Sequence, residues 1–453
     1  MDIPIAKLFM HNCNYYLYDT YSNRLFGVTE CQYKELSQLL KIGINHYKLL
    51  NKDTKAYNDI IMLMRKGYLK SNIIDKIEHQ DTKFINDFLD NALSNLVLQV
   101  TQKCNFSCRY CVLAHDTKTS RTHSNRNMTF EIAKKSIDFL YLHSSNSHSV
   151  TISFYGGEPL LNFTLIEKCV TYIESLFFTK DIRYIMTVNG SLLTDSVVSF
   201  LSKYRFKITV SLDGDKKTQN KHRRFWENGG ETYDLVMKNI KHIRESYPDY
   251  FANYVSFCPV VIDDENYENV VKFFSDQGIS KDKINPLKAN LNGIDYDLSL
   301  LNINNSKLKG IDIETLAINE RSVKDLHRIY SDKREISSTW HHNGPCIPGY
   351  HRLFVDVDGN FYPCEKMIEN DMLVIGNIKK GFDKQKVKKF LNIGLVTEKE
   401  CKNCWAAHFC QICISLCIDI DNKCISKEQK LKACETQKEV ALWFLKNHVI
   451  NQD

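Results

Sequence analysis

Three cysteines at close spacing are the residues of this chain with the clearest potential for chemistry. Cys104, Cys108 and Cys111 follow directly after the apolar stretch 96–100 and form a CxxxCxxC pattern. A 4Fe–4S cluster that receives only three protein thiolates keeps one iron open, and an open iron binds a substrate or cofactor instead of only passing electrons. The pattern therefore predicts a cluster with one reactive iron.

Zinc and disulfide bonds are the alternative uses of these cysteines. Zinc sites usually join one CxxC pair to a second pair of ligands, and His115 is the only close candidate for a further ligand. The first residues, MDIPIAKLFMHNCNYY, lack the basic and apolar regions of an export signal, so we expect a reducing, cytoplasmic compartment in which disulfides are rare. We therefore favour iron–sulfur chemistry over zinc.

Length and charge narrow the range of partners. The 453 residues exceed one ordinary core, and the net charge of +6 arises from mixed acidic and basic residues without a basic stripe. We expect no nucleic-acid partner. No apolar run approaches the roughly 20 residues that cross a bilayer, so we expect no membrane partner either.

Strands and helices alternate in the middle of the chain, which predicts a parallel sheet. The predicted strands are 96–100, 149–155, 183–188, 206–212, 254–261 and 284–289. The predicted helices lie near 129–143, 164–178, 195–204, 232–246 and 267–277, and Thr164 with Glu167 has the spacing of a capping box. Six such units are fewer than the eight of a full barrel, so the prediction is an α/β fold with a partial (β/α)6 TIM-like barrel.

A smaller module precedes this barrel. Its predicted elements are strands at 5–11, 15–18 and 24–28, a helix at 29–40 and a helix at 58–66 that stops at Gly67. Strands followed by short helices indicate a winged-helix-like module. Because it lacks a basic recognition helix, we expect it to bind a peptide and not DNA.

Polar or glycine-rich loops follow the second, third and fourth predicted strands. Their chemically useful residues are Gly156, Gly157 and Glu158, then Asn189, then Ser211. The carboxyl ends of parallel strands meet at one rim, so these loops should converge with the cysteine triplet. Gly156 and Gly157 would let a ligand approach the backbone, Glu158 would accept hydrogen bonds from an ammonium group, and Arg223 could face a carboxylate.

With these motifs the chain resembles the radical S-adenosylmethionine (SAM) superfamily over residues 96–291. The resemblance rests on CxxxCxxC after the first strand, Gly-Gly-Glu after the second, and the six-unit barrel. It implies a 4Fe–4S cluster on the three cysteines, chelation of its free iron by SAM, and reductive cleavage of SAM to a 5′-deoxyadenosyl radical. The implied SAM contacts are Gly157 and Glu158 with the amino group, Asn189 and Ser211 with the ribose or carboxylate, Arg223 with the carboxylate, and Tyr110 with the adenine.

Nine further cysteines crowd into the last part of the chain: Cys346, Cys364, Cys401, Cys404, Cys410, Cys413, Cys417, Cys424 and Cys434. Their pattern resembles the SPASM extension of radical SAM enzymes. The resemblance assigns one complete 4Fe–4S cluster to Cys401, Cys404, Cys410 and Cys434, and a second cluster to Cys346, Cys364 and Cys413.

This extension departs from the commonest form of its motif, because only two residues separate Cys410 from Cys413 where three are usual. Cys417 or Cys424 could complete the second cluster, or that cluster could keep an iron open for a substrate thiolate. Zinc in the CxxC pairs stays a further alternative. The remaining cysteines, Cys13, Cys31, Cys169 and Cys258, are predicted to be core residues.

The predicted organisation has four parts: a leader-peptide recognition domain at 1–91, the radical SAM partial barrel at 92–300, a linker at 301–345 and the SPASM domain at 346–453. The resemblance implies a maturase that binds a ribosomally made precursor peptide and forms a Cys thioether, as the makers of sactipeptides and ranthipeptides do. A flavodoxin or ferredoxin would supply electrons.

Three other functions compete with this one. An anaerobic sulfatase-type maturase would make formylglycine, and a carbon–carbon crosslinking maturase would join peptide carbons. An iron–sulfur electron-transfer or zinc-binding module would make no radical at all. The Gly-Gly-Glu loop argues against the module, because such a protein has no need of a carboxylate that holds the cofactor's amino group.

Overall fold

The computed structural model describes residues 2–71, 73–111, 123–261, 264–285, 287–288, 335–342, 346–365, 367, 370–419 and 421–450. The chain divides into two compact units, which are described separately. Unit 1 contains the described residues of 1–83, 298–345 and 388–453, and unit 2 contains those of 84–297 and 346–387. His115 and most of the predicted linker at 301–345 lie outside the described residues.

Unit 2 is built around a nine-stranded mixed sheet with helices between its parallel strands. Its strands are β4 (Asn95–Thr101), β5 (Phe106–Cys108), β6 (Ser149–Gly156), β7 (Asp181–Val188), β8 (Lys207–Val210), β9 (Arg223–Phe225), β10 (Val255–Phe257), β11 (Val260–Val261), β12 (Leu287–Lys288), β13 (Leu353–Val355), β14 (Asn360–Tyr362), β15 (Gly376–Asn377) and β16 (Gly381–Phe382). The sheet order is β10-β8-β7-β6-β4-β13-β14-β15-β16; β5 pairs with β9, and β11 with β12.

The parallel part of this sheet agrees closely with the sequence. The first three predicted strands are found within two residues of their expected bounds, because each is a short, largely apolar run. The predicted strand 254–261 is interrupted at Cys258 and Pro259, where proline cannot donate to a ladder. What the sequence missed is β13, which pairs in parallel with β4 and continues into three antiparallel strands.

The five helices of unit 2 that begin at 130, 163, 195, 233 and 264 lie near their predicted places, and no bounds were predicted for its other helices. The helices of unit 2 are α4 (Ile85–Asn91), α5 (Phe130–Leu142), α6 (Phe163–Leu176), α7 (Asp195–Lys203), α8 (Lys216–His222), α9 (Tyr233–Ser246), α10 (Pro248–Tyr254) and α11 (Asp264–Asp276). The capping box predicted at Thr164 is wrong. The helix starts one residue earlier, at Phe163, and its N-cap Asn162 forms no side-chain cap bond.

Unit 1 joins the beginning and the end of the chain. Its elements at the start are β1 (Ala6–His11), β2 (Asn14–Asp19), β3 (Arg24–Val28), α1 (Glu30–Ile42), α2 (Ile44–Leu49) and α3 (Lys55–Arg65). β1, β2 and β3 form an antiparallel sheet in that order. Thr29 and Gln32 form the capping box of α1, and Gly67, with φ +92°, follows the end of α3 as predicted.

The cysteine-rich part of unit 1 packs against this N-terminal sheet. After α12 (Lys384–Leu391), it contains α13 (Glu398–Lys402), β17 (Ile418–Asp419), β18 (Cys424–Ile425) and the long helix α14 (Lys427–Ile450). Phe9 and Tyr18 share one core with Phe409 and Phe444. The two ends of the chain therefore depend on each other for burial of apolar surface.

The cysteines that were predicted to be core residues differ in burial. Cys169 is buried as predicted, but Cys13 and Cys31 are exposed, so the expectation that they are core residues is wrong. Cys13 lies in the turn between β1 and β2, and Cys31 is on the open side of α1. Among the described helices, none has the length and apolar character needed to cross a bilayer.

Candidate functional site

The cysteine loop follows β4 and is held by backbone pairing. β5, which contains Cys108, pairs antiparallel with β9, so that Cys108 lies opposite Arg223. Arg109 N donates to His222 O at 3.0 Å, and Cys111 N donates to Cys108 O at 3.0 Å. The loop that carries the thiols is therefore fixed to the chain segment that carries Arg223.

The thiols of this loop are largely removed from water. Burial, together with the charges of neighbouring thiols, raises the pKa of Cys104 and of Cys108 to about 12. The three thiols thus lie within electrostatic range of one another, and a bound cation would offset the cost of their ionisation. Three neighbouring sulfur donors, of which Cys108 is buried and Cys104 and Cys111 are half-buried, are chemically suited to an iron–sulfur cluster.

The geometry of these donors does not by itself identify a metal. Among the residues with described positions, no three His, Cys, Asp or Glu side chains are gathered tightly enough to hold a single ion. The assignment of a cluster to Cys104, Cys108 and Cys111 consequently depends on the donor set and its burial.

The Gly-Gly-Glu loop packs directly on the cysteine loop. Gly157 N donates to Thr101 O at 3.2 Å, and Glu158 N donates to Lys103 O at 2.8 Å. A Cβ atom on Gly157 would lie 2.2 Å from Lys103 O and 2.9 Å from Cys104 Cβ. The sequence suggested that the two glycines admit a ligand; in the structure, the chain's own cysteine loop occupies the space next to them.

Glu158 joins two loops of the rim through its carboxylate. Only 1% of the residue is exposed. One oxygen accepts a hydrogen bond from Leu160 N at 3.1 Å, and the other accepts one from Asn189 N at 2.6 Å. Each carboxylate oxygen can accept more than one hydrogen bond, so capacity for an ammonium group remains.

The protonation of Glu158 gives a testable consequence for stability. Burial raises its pKa from 4.5 to about 7. Between these pH values the folded chain holds a proton that the unfolded chain has lost, so this group's contribution to the free energy of unfolding decreases as the pH rises through the window.

We expect Glu158→Gln to remove this pH-dependent contribution. Urea unfolding of the native chain and of the variant, at pH values on either side of the window, measures it. The exposed Glu131, which pairs with Lys135, is the control position, and Glu131→Gln should keep the native pH dependence. An identical pH dependence in the native chain and Glu158→Gln would contradict the expectation.

Asn189 belongs to a network with the cysteine loop. Its Nδ2 donates to Asn105 Oδ1 at 2.8 Å, and its Oδ1 accepts from Ser191 Oγ at 2.7 Å. Asn105 in turn donates to Ser191 Oγ at 2.9 Å. Sequence reasoning missed Asn105 and Ser191, although Asn105 lies inside the cysteine motif and Ser191 follows Asn189 by two residues.

Ser211 differs from the other predicted SAM-contact residues in the state of its side chain. Its backbone N donates to Val188 O at 2.8 Å. Within the described part of the chain its hydroxyl forms no hydrogen bond, and the residue is half-buried. A half-buried hydroxyl without a protein partner is available to a ligand.

Tyr110, Asp213 and Arg223 form a buried group beside Cys108. The Tyr110 hydroxyl donates to an Asp213 carboxylate oxygen, and Arg223 Nε lies 3.1 Å from the same oxygen without pointing along a hydrogen bond. The guanidinium lies 5.3 Å from the Tyr110 ring centroid and 3.8 Å from Cys108 Sγ. Arg223 therefore faces a carboxylate of its own chain, which the sequence did not indicate.

The C-terminal cysteines divide between the two units. Cys346 and Cys364 belong to unit 2, whereas the cysteines from Cys401 onward belong to unit 1. Burial and the charges of Cys404, Cys434 and Cys401 raise the pKa of Cys410, so these four thiols lie within electrostatic range of one another.

Cys413 and Cys417 form a neighbouring pair. Burial, together with the charge of Cys413, raises the pKa of Cys417 to about 12. Cys417 Sγ donates to Cys413 O at 3.4 Å. Cys424 is exposed in the short hairpin β17–β18.

A match to a known sequence family covers most of the parallel sheet and its rim. Residues 98–276 match the sequence profile of the Radical SAM superfamily. This matched segment contains the cysteine loop, the Gly-Gly-Glu loop, Asn189, Ser211 and Arg223.

Sequence relatives fall into more than one group. An uncharacterized protein of Methanocaldococcus jannaschii is 27% identical over 70% of this chain and 97% of its own length. The radical SAM cyclopropyl synthase TigE of Paramaledivibacter caminithermalis is 26% identical over 55% of this chain and 54% of its own. The cysteine-type anaerobic sulfatase-maturating enzyme of Clostridium perfringens is 24% identical over 70% of this chain and 88% of its own.

Solved structures show the same fold. Native anSMEcpe with bound AdoMet and Cp18Cys peptide has a TM-score of 0.53 at 20% identity, over 80% of this chain and 99% of that one. Streptococcus suis SuiB bound to S-adenosylmethionine has a TM-score of 0.50 at 17% identity, over 94% of this chain and 98% of that one. The chain is thus similar in sequence to the cyclopropyl synthase TigE and to a sulfatase-maturating enzyme, and it shares the fold of the two solved structures.

Proposed function

We propose that this protein is a peptide maturase that uses SAM to form a thioether from a cysteine of a ribosomally made precursor peptide. The observation that supports it most is the presence, in one chain, of the buried cysteine loop of unit 2 and a separate strand–helix module with an open groove. Flavodoxin or ferredoxin is the proposed electron donor.

The residues of the rim have distinct proposed roles. Cys104, Cys108 and Cys111 would hold a 4Fe–4S cluster, which when loaded with SAM supplies a carbon radical able to take a hydrogen atom from a peptide. Glu158 accepts from the SAM amino group while its backbone bonds keep two loops together. Ser211 offers its hydroxyl to the ribose or carboxylate.

The buried group beside Cys108 gives Arg223 and Tyr110 their proposed roles. Asp213 orients the guanidinium of Arg223, which remains the proposed partner of the SAM carboxylate. Tyr110 holds the opposite side of Asp213, and its ring is the proposed packing surface for adenine. Asn189 keeps the cysteine loop in place through Asn105.

The N-terminal module is the proposed binding site of the precursor's leader. A groove of about 540 Å³ lies between β2 and α1, and Tyr15, Tyr33, Lys34 and Lys41 contribute to its walls. The Tyr15 and Tyr33 rings pack against each other in a tilted arrangement, with centroids 5.0 Å apart. Glu30 also lines the groove and pairs with Lys34 at 2.6 Å. The aromatic walls and the ammonium group of Lys41 suit a peptide that carries apolar and acidic side chains. β3 also has one edge free of any strand among the described residues.

Substitutions in this groove should separate peptide binding from SAM chemistry. We expect Tyr33→Ala with Lys41→Glu to weaken leader binding about tenfold or more, because aromatic anchors dominate such interfaces. Fluorescence anisotropy with a labelled leader measures this effect. Lys55→Glu, at an exposed position of α3 outside the groove, is the matched control.

Point substitutions suit this test better than deletion of the module, since Phe9 and Tyr18 lie in the core that also buries Phe409 and Phe444. Cleavage of SAM without peptide should be unchanged in the groove variant. Equal loss of leader binding and SAM cleavage would contradict the proposal that the groove binds the leader and takes no part in SAM cleavage.

Formylglycine formation is the second candidate. The observation that favours it is the match to the cysteine-type sulfatase-maturating enzyme, which extends over 88% of that protein. The strand–helix module of the first 91 residues is the feature that favours thioether formation, because it supplies a second candidate binding surface in addition to the SAM site.

Mass spectrometry of a cysteine-containing precursor peptide after incubation with the reduced protein distinguishes the candidates. A thioether removes a pair of hydrogens, retains the sulfur and blocks alkylation of the thiol. Formylglycine loses the sulfur, and a carbon–carbon crosslink leaves the thiol open to alkylation. A peptide recovered unchanged with every precursor tested would contradict the maturase proposal.

A further inference from the structure

Lys430 is a buried lysine in the middle of the C-terminal cysteines. It lies on α14, one turn before Cys434, and only 1% of the residue is exposed. Its Nζ lies 3.4 Å from Cys401 Sγ and hydrogen-bonds to Thr397 Oγ1. The resemblance to known enzymes gave this residue no role.

The charge of Lys430 is not balanced by a carboxylate. Within the described residues no Asp or Glu lies within ion-pair distance of its ammonium group, whereas Lys432 and Lys438 on the same helix pair with Glu428 and Glu435. Burial of an ammonium group without an anionic partner is unfavourable. The polar atoms that Nζ contacts are the Thr397 hydroxyl and the Cys401 sulfur.

We propose that Lys430 is the counter-ion of an iron–sulfur cluster bound by Cys401 and its neighbours, and that it raises the reduction potential of this cluster. The inference rests on the proposed function only in that the C-terminal thiols hold a cluster. It makes Lys430 a positioning residue, since it acts through Cys401.

The positive charge of Lys430 should raise the reduction potential of the cluster. Four thiolates give such a cluster a net negative charge, and reduction adds one more electron. A nearby ammonium group stabilises the reduced form more than the oxidised form, and its N–H donor weakens the electron donation of the thiolate. Loss of the ammonium should therefore make the cluster harder to reduce.

The test uses the full chain with Cys104, Cys108 and Cys111 replaced by Ala, so that the remaining iron belongs to the C-terminal cysteines. In this background Cys401→Ala identifies the redox transition of the cluster in question. Lys430→Met, Lys430→Gln and Lys430→Arg are then compared with Lys432→Met, which changes an exposed lysine of the same helix. Iron content and EPR-monitored redox titration are the measurements.

We expect Lys430→Met to keep its iron and to shift this transition to a more negative potential. Lys430→Gln should shift it less, because an amide still donates to sulfur, and Lys430→Arg and Lys432→Met should stay near the parent. Equal potentials in Lys430→Met and Lys432→Met, with full iron content, would overturn the proposal.

Failure of the Met variant to bind iron also has a defined meaning. If Lys430→Arg then keeps the cluster, the result supports a requirement for a positive charge at this position. If Lys430→Arg also loses the cluster, the counter-ion proposal is overturned. If Cys401→Ala removes no iron and no transition, the auxiliary cluster itself is refuted. That result is distinct from an unchanged potential, which refutes only the role of Lys430.

Discussion

Replacement of Cys104, Cys108 and Cys111 by Ala is expected to abolish cleavage of SAM to 5′-deoxyadenosine, while iron stays bound at the C-terminal cysteines. The thiols of the first loop lie in unit 2, and the Cys401 group lies in unit 1. Because each set of thiols is buried in its own surroundings, loss of one cluster should leave the other intact. Iron analysis and chromatography of the nucleoside products measure both results.

The matched control for this triple variant is Cys169→Ala, which removes a buried thiol from α6. It should retain iron and SAM cleavage, although it loses some packing. Simultaneous loss of all iron in the triple variant would contradict separate sites.

Gly157→Ala should reduce iron binding and SAM cleavage nearly as much as the triple Ala variant, because the added methyl group would clash with the backbone. The added Cβ would lie 2.2 Å from Lys103 O and 2.6 Å from Lys103 C, and neither atom can move without displacing the cysteine loop. We expect the variant to lose most of the iron of the first cluster and to cleave SAM at least tenfold more slowly. Such a clash in a close-packed site costs roughly 1–3 kcal/mol.

Gly27→Ala provides the control, since its added Cβ would meet nothing within 4 Å. This variant should keep native iron content and SAM cleavage. Native behaviour of Gly157→Ala would show that the glycine is not required for contact between the two loops, and the packing explanation would be wrong.

The parallel strands and most helices could be predicted from sequence, because the spacing of apolar residues within a short segment indicates its secondary structure. The pairing of β13 with β4 could not, since more than 250 residues separate Leu353 from Leu96 and neither segment encodes its partner. The contact between the N-terminal sheet and α14 was missed for the same reason: the sequence suggested two separate domains at the ends of the chain, but both segments contribute to unit 1.

At the site, residues in short sequence motifs could be predicted, but contacts between loops that are distant in sequence could not. The sequence indicated the cysteines, Glu158 and Arg223, because each lies in a short motif. It did not indicate that Asp213 would bind both Tyr110 and Arg223, which depends on three loops meeting. Lys430 was missed because a lysine in a charged helical segment normally faces water.

The central claim is that the iron held by Cys104, Cys108 and Cys111 cleaves SAM. Its most direct test is the formation of 5′-deoxyadenosine by the full chain, reconstituted without oxygen and reduced in the presence of SAM. We predict the nucleoside as a product, and its absence from the triple Ala variant. Recovery of intact SAM from protein with its full complement of iron would contradict the account.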